Sequence, residues 1–133
     1  MNIFNFSIPR LTPTNNVLLR LHWRARQRLN GDWIELVKVA TQDLEIPRPA
    51  YGEHRWVTII SRRLQLADPD NHPGGLKPLL DALKNADLIF DDGPKYLTLR
   101  ILQVLVHKRA EQETIIFLKV DGPRAALPDK EKP

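Results

Sequence analysis

Residues Arg55 to Ala86 read RWVTIISRRLQLADPDNHPGGLKPLLDALKNA, and the change of period along this stretch decides the fold. Its first part, Arg55 to Leu66, is rich in β-branched and aromatic residues (Trp56, Val57, Thr58, Ile59, Ile60) and predicts a strand. Its last part places Leu76, Leu79, Leu80, Leu83 and Ala86 on one helical face. Pro78 suits the first turn of that helix, because the N–H it lacks has no partner there. Between strand and helix lies Asp68-Pro69-Asp70-Asn71, a polar loop just past the strand end.

Working outward, Phe4, Phe6 and Ile8 alternate with Ile3, Asn5 and Ser7, so Asn2 to Ile8 reads as a first strand, closed by Pro9 and Pro13. Leu11 to Asn30 is irregular and basic and contains the turn formers Thr14, Asn15 and Asn16, which predicts a loop running into a helix. Leu29, Trp33, Leu36, Val37, Ala40 and Leu44 follow at helical spacing to about Leu44, before Pro47 and Pro49. Trp23, Trp33 and Trp56 are all expected in the core. Downstream, Leu88, Ile89 and Phe90 lead into the turn Asp91-Asp92-Gly93-Pro94, and Tyr96 to His107 alternates as a strand. A turn around Ala110 to Gln112 precedes a last strand, Thr114 to Val120, and these two strands are expected to pair as a hairpin. The order β-α-β-α-β-β predicts an α/β (α+β) fold, a single domain over residues 1–120 with a mixed β-sheet and two helices packed on it. Residues 121–133, rich in proline and charge, are expected to form a mobile tail.

Composition bounds the function. With 42% hydrophobic and 27% charged residues, the 133-residue chain has ordinary globular usage and is not a disordered segment. No apolar run approaches the roughly 20 residues of a membrane span. The start MNIFNFSIPR lacks the order of a signal peptide, so a soluble, cytoplasmic protein is expected. Without cysteine, any metal must be held by Asp, Glu or His. The net charge of +4 is unevenly placed: the first thirty residues hold Arg10, Arg20, Arg24, Arg26 and Arg28 and no acid, so the rest of the chain carries −1. Asp68 to Asp92, by contrast, contains six aspartates against Lys77 and Lys84. A basic arm beside an acidic centre suits a metal-dependent enzyme acting on phosphates, whereas composition alone favours an ordinary charged surface.

Asp68 and Asp70, at i and i+2 on a loop, suit a hard divalent cation, although aspartates in such loops also serve as turns and caps. An EF-hand is excluded, because its sixth and twelfth positions would be Pro73 and Leu79. Gly74-Gly75-Leu76-Lys77 lacks the first glycine and the spacing of a P-loop. If strand, helix and following segment form a compact unit, Asp91 and Asp92 return to Asp68 and Asp70, beside Lys77. Carboxylates gathered that closely must be protonated, spread apart or bridged by cations. A simple turn at Asp91-Asp92-Gly93-Pro94 remains the alternative.

Taken together, Asp68-x-Asp70-Asn71, Lys77, Asp81-Ala82-Leu83 and Asp91-Asp92 resemble the signature of the RusA-like Holliday junction resolvases. Pro13-Thr14-Asn15-Asn16 followed by Arg20 is similar to that family's early Pro-Ser-Asn-Asn block. The resemblance implies a RusA-like fold and a Mg²⁺-dependent endodeoxyribonuclease of DNA recombination and repair, with Mn²⁺ as a substitute. It implies Asp68, Asp70 and Asp92 as metal-binding acids, Asp91 as an accessory acid, and Lys77 as the catalytic or phosphate-contacting base. Asn15, Asn16, Arg20, Arg24, Arg26 and Arg28 would contact branched DNA, and symmetric cutting of a four-way junction implies a homodimer. Two departures stand out: His72-Pro73-Gly74-Gly75-Leu76 is three residues longer than the family's spacing, and the basic residues before the first acid are displaced to Arg62 and Arg63. His72 is expected to be an exposed loop histidine. If the longer loop moves Lys77 out of register, the chain is a junction-binding protein on the same scaffold.

Overall fold

The computed structural model describes residues 2–121. Of the expected tail, all but Asp121 lies outside them. Four strands, β1 (Asn2–Ile8), β2 (Arg55–Arg63), β3 (Leu97–Leu105) and β4 (Glu113–Val120), form one mixed sheet in the order β1-β4-β2-β3. Three helices, α1 (Asn15–Arg20), α2 (Trp23–Thr41) and α3 (Lys77–Asn85), complete an α+β domain. The quoted stretch forms β2 and α3, and α3 carries the chain to β3, which lies parallel to β2.

The expected hairpin does not exist. β4 lies on the far side of β2, antiparallel to both β2 and β1, so β2 separates it from β3. Hydrogen bonds and ion pairs at the end of β2 hold the long connection that crosses it. Val106 N–H donates to the Arg63 carbonyl, Leu64 N–H donates to Gln112 Oε1, and Arg62 pairs with Glu113 and Glu111. This order gives β4 a neighbour on each side, which suits a strand that buries Thr114, Ile116, Leu118 and Val120. β3 buries only Leu97 and takes an edge.

One face of the sheet carries the core. Phe6, Ile8, Val57, Ile59, Ile116 and Leu118 meet Trp33 and Val37 of α2 and Leu79, Ala82 and Leu83 of α3. Among the described residues no helix covers the other face, on which Leu102, Val104 and Phe117 are exposed. Trp56 belongs to that face rather than to the core: alternation puts it opposite Val57, where it is half-buried with the Lys119 ammonium 5.3 Å above its ring.

α2 begins six residues earlier than the apolar spacing predicts. His22 caps it, its Nδ1 accepting from the Arg24 N–H. The first turns carry Arg24, Gln27 and Arg28 into solvent, so their helical character leaves no apolar trace. Trp23 is exposed, with the Arg24 guanidinium 5.3 Å from its ring, and only Trp33 of the three tryptophans is fully buried.

Candidate active site

The acidic loop is built from its own backbone. Asp68 Oδ1 accepts from the Asp70 N–H at 2.9 Å, and the Asp68 carbonyl accepts from the Asn71 and His72 N–H groups. Asp68 therefore turns the loop while Asp70 stays exposed. The Asn71 carbonyl accepts from the Asn15 N–H at 2.8 Å, which ties the acidic loop to the first residue of α1.

The residues that lengthen the loop are absorbed locally. Pro73–Leu76 form a turn of 3-10 helix that runs directly into α3, with Leu76 fully buried. This turn packs so closely on the preceding segment that a Cβ on Gly75 would fall 1.7 Å from the Pro13 carbonyl oxygen, and one on Gly74 would fall 2.6 Å from Asn15 Cγ. Glycine is thus required here for close approach rather than for an unusual φ.

Lys77 consequently starts α3 with its Nζ 2.7 Å from Asp92 Oδ2 and 3.1 Å from Asp81 Oδ1. The hydrogen bond that Lys77 donates to Asp92, then the one it donates to Asp81, raises the lysine pKa above its ordinary value, so the amine stays charged. Two turns further along the helix, Lys84 Nζ lies 3.2 Å from Asp91 Oδ1. Asp91 also accepts from the Asp92 N–H at 2.8 Å, and this bond, followed by Lys84, holds its carboxyl below the usual range. The segment bearing both acids is braced from below by the buried Arg55. Its Nη1 donates to the Leu88 carbonyl, its Nη2 to the Pro47 carbonyl and its Nε to Glu53. The only trace of this hub in the sequence is that Arg55 shares the inward face of β2 with Val57 and Ile59.

The structure thus joins Lys77, Asp81 and Asp92 in one cluster and Lys84 with Asp91 in a second. Asp68 and Asp70 sit on the loop that precedes them, with no hydrogen bond to either cluster. Among the described residues no three of His, Asp and Glu are gathered to hold one metal ion. The donors suit a hard cation in kind, since all are carboxylate oxygens, but Asp91 and Asp92 are engaged by lysines.

The basic arm divides. Arg20, Arg24 and Arg28 are exposed, as is Asn16. Arg26 is half-buried and donates to the Leu18 carbonyl at 2.9 Å, fastening α1 to α2. Asn15 is spent on the loop, through its N–H to Asn71 and its side chain against Gly74. His72 is not exposed as expected but 3% accessible, and neither ring nitrogen meets a hydrogen-bond partner among the described residues. Burial, then the nearby charge of Arg63, depresses its pKa. Arg63 is itself buried, donating from Nη2 to the carbonyl and hydroxyl of Thr12. Nothing in the sequence marks His72, whose loop reads as polar and glycine-rich.

The chain matches no protein-family model and no curated protein sequence. The geometry and the residues themselves carry the functional reading.

Proposed function

We propose that this protein is a Mg²⁺-dependent endodeoxyribonuclease that resolves four-way DNA junctions by paired phosphodiester hydrolysis, acting as a homodimer. The observation that carries the reading is the contact of Lys77 with Asp92. The lengthened loop leaves the amine beside the second acidic pair, at the helix end that follows Asp68 and Asp70. Asp68, Asp70, Asp91 and Asp92 are the oxygen donors that would hold the ion. When bound, Mg²⁺ supplies an activated water and neutralises charge on the phosphate.

The chain's own residues do the rest. Lys77, kept protonated by Asp92 and Asp81, supplies a fixed positive charge for the phosphate as its negative charge grows. Arg20, Arg24 and Arg28 hold neighbouring phosphates and set the register of the strand. The Asn15–Asn71 hydrogen bond fixes the arginine-bearing arm relative to the acidic loop, so binding and chemistry share one frame.

One observation favours a second reading, a junction-binding protein that does not cut: the lysines neutralise Asp91 and Asp92, and among the described residues no three acids are gathered. Lys77→Ala separates the two. In the nuclease, junction binding in EDTA is retained and cleavage in Mg²⁺ falls by orders of magnitude, because the charge acts mainly in the transition state. In a binding protein there is no cleavage to lose, and wild type shows none at any Mg²⁺ or Mn²⁺ concentration.

A further inference from the structure

The far end of α3 borders a groove that this chemistry does not use. A cavity of about 550 Å³ lies between the segment before β2 and the end of α3, with Arg48, Tyr51, Lys84, Asp87, Ile89 and Phe90 among its lining residues. Tyr51 is 59% exposed, yet its ring is buttressed. Its centroid is 5.1 Å from that of Phe90, which stands edge-on to Tyr96 at 4.8 Å. Gly52, at φ 72°, makes the turn after Tyr51 in the left-handed region that glycine favours.

The charges of the groove say what fits it. Of its three charged lining residues, Arg48 is paired with Asp87 at 3.3 Å, and Lys84 is paired with Asp91, which lies outside the lining, at 3.2 Å, so both cations are already engaged by carboxylates. A phosphate entering here must compete with the carboxylates that already hold both cations. A flat, neutral heterocycle does better, because it stacks on the Tyr51 ring while guanidinium donors and carboxylate acceptors pair with its edge. The groove also adjoins the candidate active site. Lys77, Asp81 and Lys84 share one face of α3, with the two lysines about 10 Å apart along its axis, and Phe90 immediately precedes Asp91 in the chain.

We propose that this groove is a nucleobase subsite, taking one unpaired base of the DNA strand engaged at Lys77. The proposal rests on the endonuclease reading for its choice of DNA and adds a mode of recognition: bases at a branch point are more easily unstacked than those within a duplex. The test is an NMR titration in EDTA of protein carrying isotope-labelled tyrosine and phenylalanine rings. Deoxyadenosine, thymidine and inorganic phosphate are the probes, added to wild type, Tyr51→Ala and Tyr51→Phe. The nucleosides should shift the Tyr51 and Phe90 ring signals saturably, and phosphate should not. Tyr51→Ala should weaken nucleoside binding about fivefold or more, while Tyr51→Phe, which keeps the stacking face, should retain it. Nucleosides that leave these rings unmoved, phosphate that shifts them equally, or an alanine variant that binds like wild type would each overturn the subsite. The result is separable from the endonuclease reading. Ring shifts in a protein that never cuts junctions uphold the groove, and junction cutting without ring shifts removes the groove while leaving the nuclease.

Discussion

A single methyl group, placed at two different glycines, should move stability in opposite directions. At Gly75 a Cβ would stand 1.7 Å from the Pro13 oxygen, 2.6 Å from its carbonyl carbon and 2.9 Å from Thr14 Cα, all backbone atoms with no rotamer to yield. The 3-10 turn must then withdraw from the Pro13–Asn15 segment by more than about 1 Å in an interior packed like a solid. Overpacking of this kind costs about 1–3 kcal/mol. Withdrawal also strains the Asn15–Asn71 hydrogen bond, which contributes about 1 kcal/mol. The reduced freedom of the unfolded chain returns less than about 1 kcal/mol. Gly75→Ala should therefore destabilise by roughly 2–3 kcal/mol, lowering the melting temperature by on the order of 10 °C. At Gly31, inside α2, the added Cβ meets nothing within 4 Å, so Gly31→Ala should stabilise by about 0.5–1 kcal/mol. Urea unfolding of both variants, read at the midpoint with an unchanged slope, is the assay. A Gly75→Ala protein as stable as wild type would refute the docking of the loop on α1, and with it the account of how Lys77 keeps its place.

Arg55→Met should cost about 3–5 kcal/mol, because it leaves Glu53 buried without its guanidinium partner and frees the Leu88 and Pro47 carbonyls; chemical denaturation measures it. His72 should make the protein acid-sensitive. Its folded pKa lies below the usual histidine value, so at pH under about 6.5 the unfolded chain binds more protons, and stability declines as pH falls toward the folded pKa. Melting curves between pH 7.5 and 5 should show this decline in wild type and a flatter profile in His72→Leu. Replacing Arg24 and Arg28 by Ala should weaken junction binding and reduce its salt dependence by about one unit of slope per lost phosphate contact, whereas Arg26→Ala should lower stability more than it lowers the slope.

The fold was legible where period and composition agree. β1, β2 and α3 announce themselves through alternation or a single apolar face, and Pro78 marks the start of α3. Strand order was not legible. β3 and β4 read as neighbours because they are consecutive, and the bonds that send the chain over β2 instead come from Arg62, Gln112 and the Val106 backbone. The start of α2 was hidden for a related reason, since an exposed helical turn of arginines has no apolar period. At the candidate site, Asp81 lies one turn from Lys77 on the helix that the apolar spacing predicts, while the reach of Lys77 to Asp92 depended on a glycine contact with Pro13 that no local pattern encodes. Buried His72 and Arg55 escaped for the opposite reason: polar residues carry an outward expectation, and only tertiary packing reverses it.

The rate of nicking of a labelled four-way junction, measured against Mg²⁺ concentration from excess EDTA upward with a matched linear duplex alongside, tests the central claim most directly. The account predicts binding without cleavage in EDTA, a saturable rise in paired nicks on the junction as Mg²⁺ is added, and little cutting of the duplex. Cleavage undiminished by EDTA, or a junction bound tightly yet left intact at every Mg²⁺ and Mn²⁺ concentration, would contradict it.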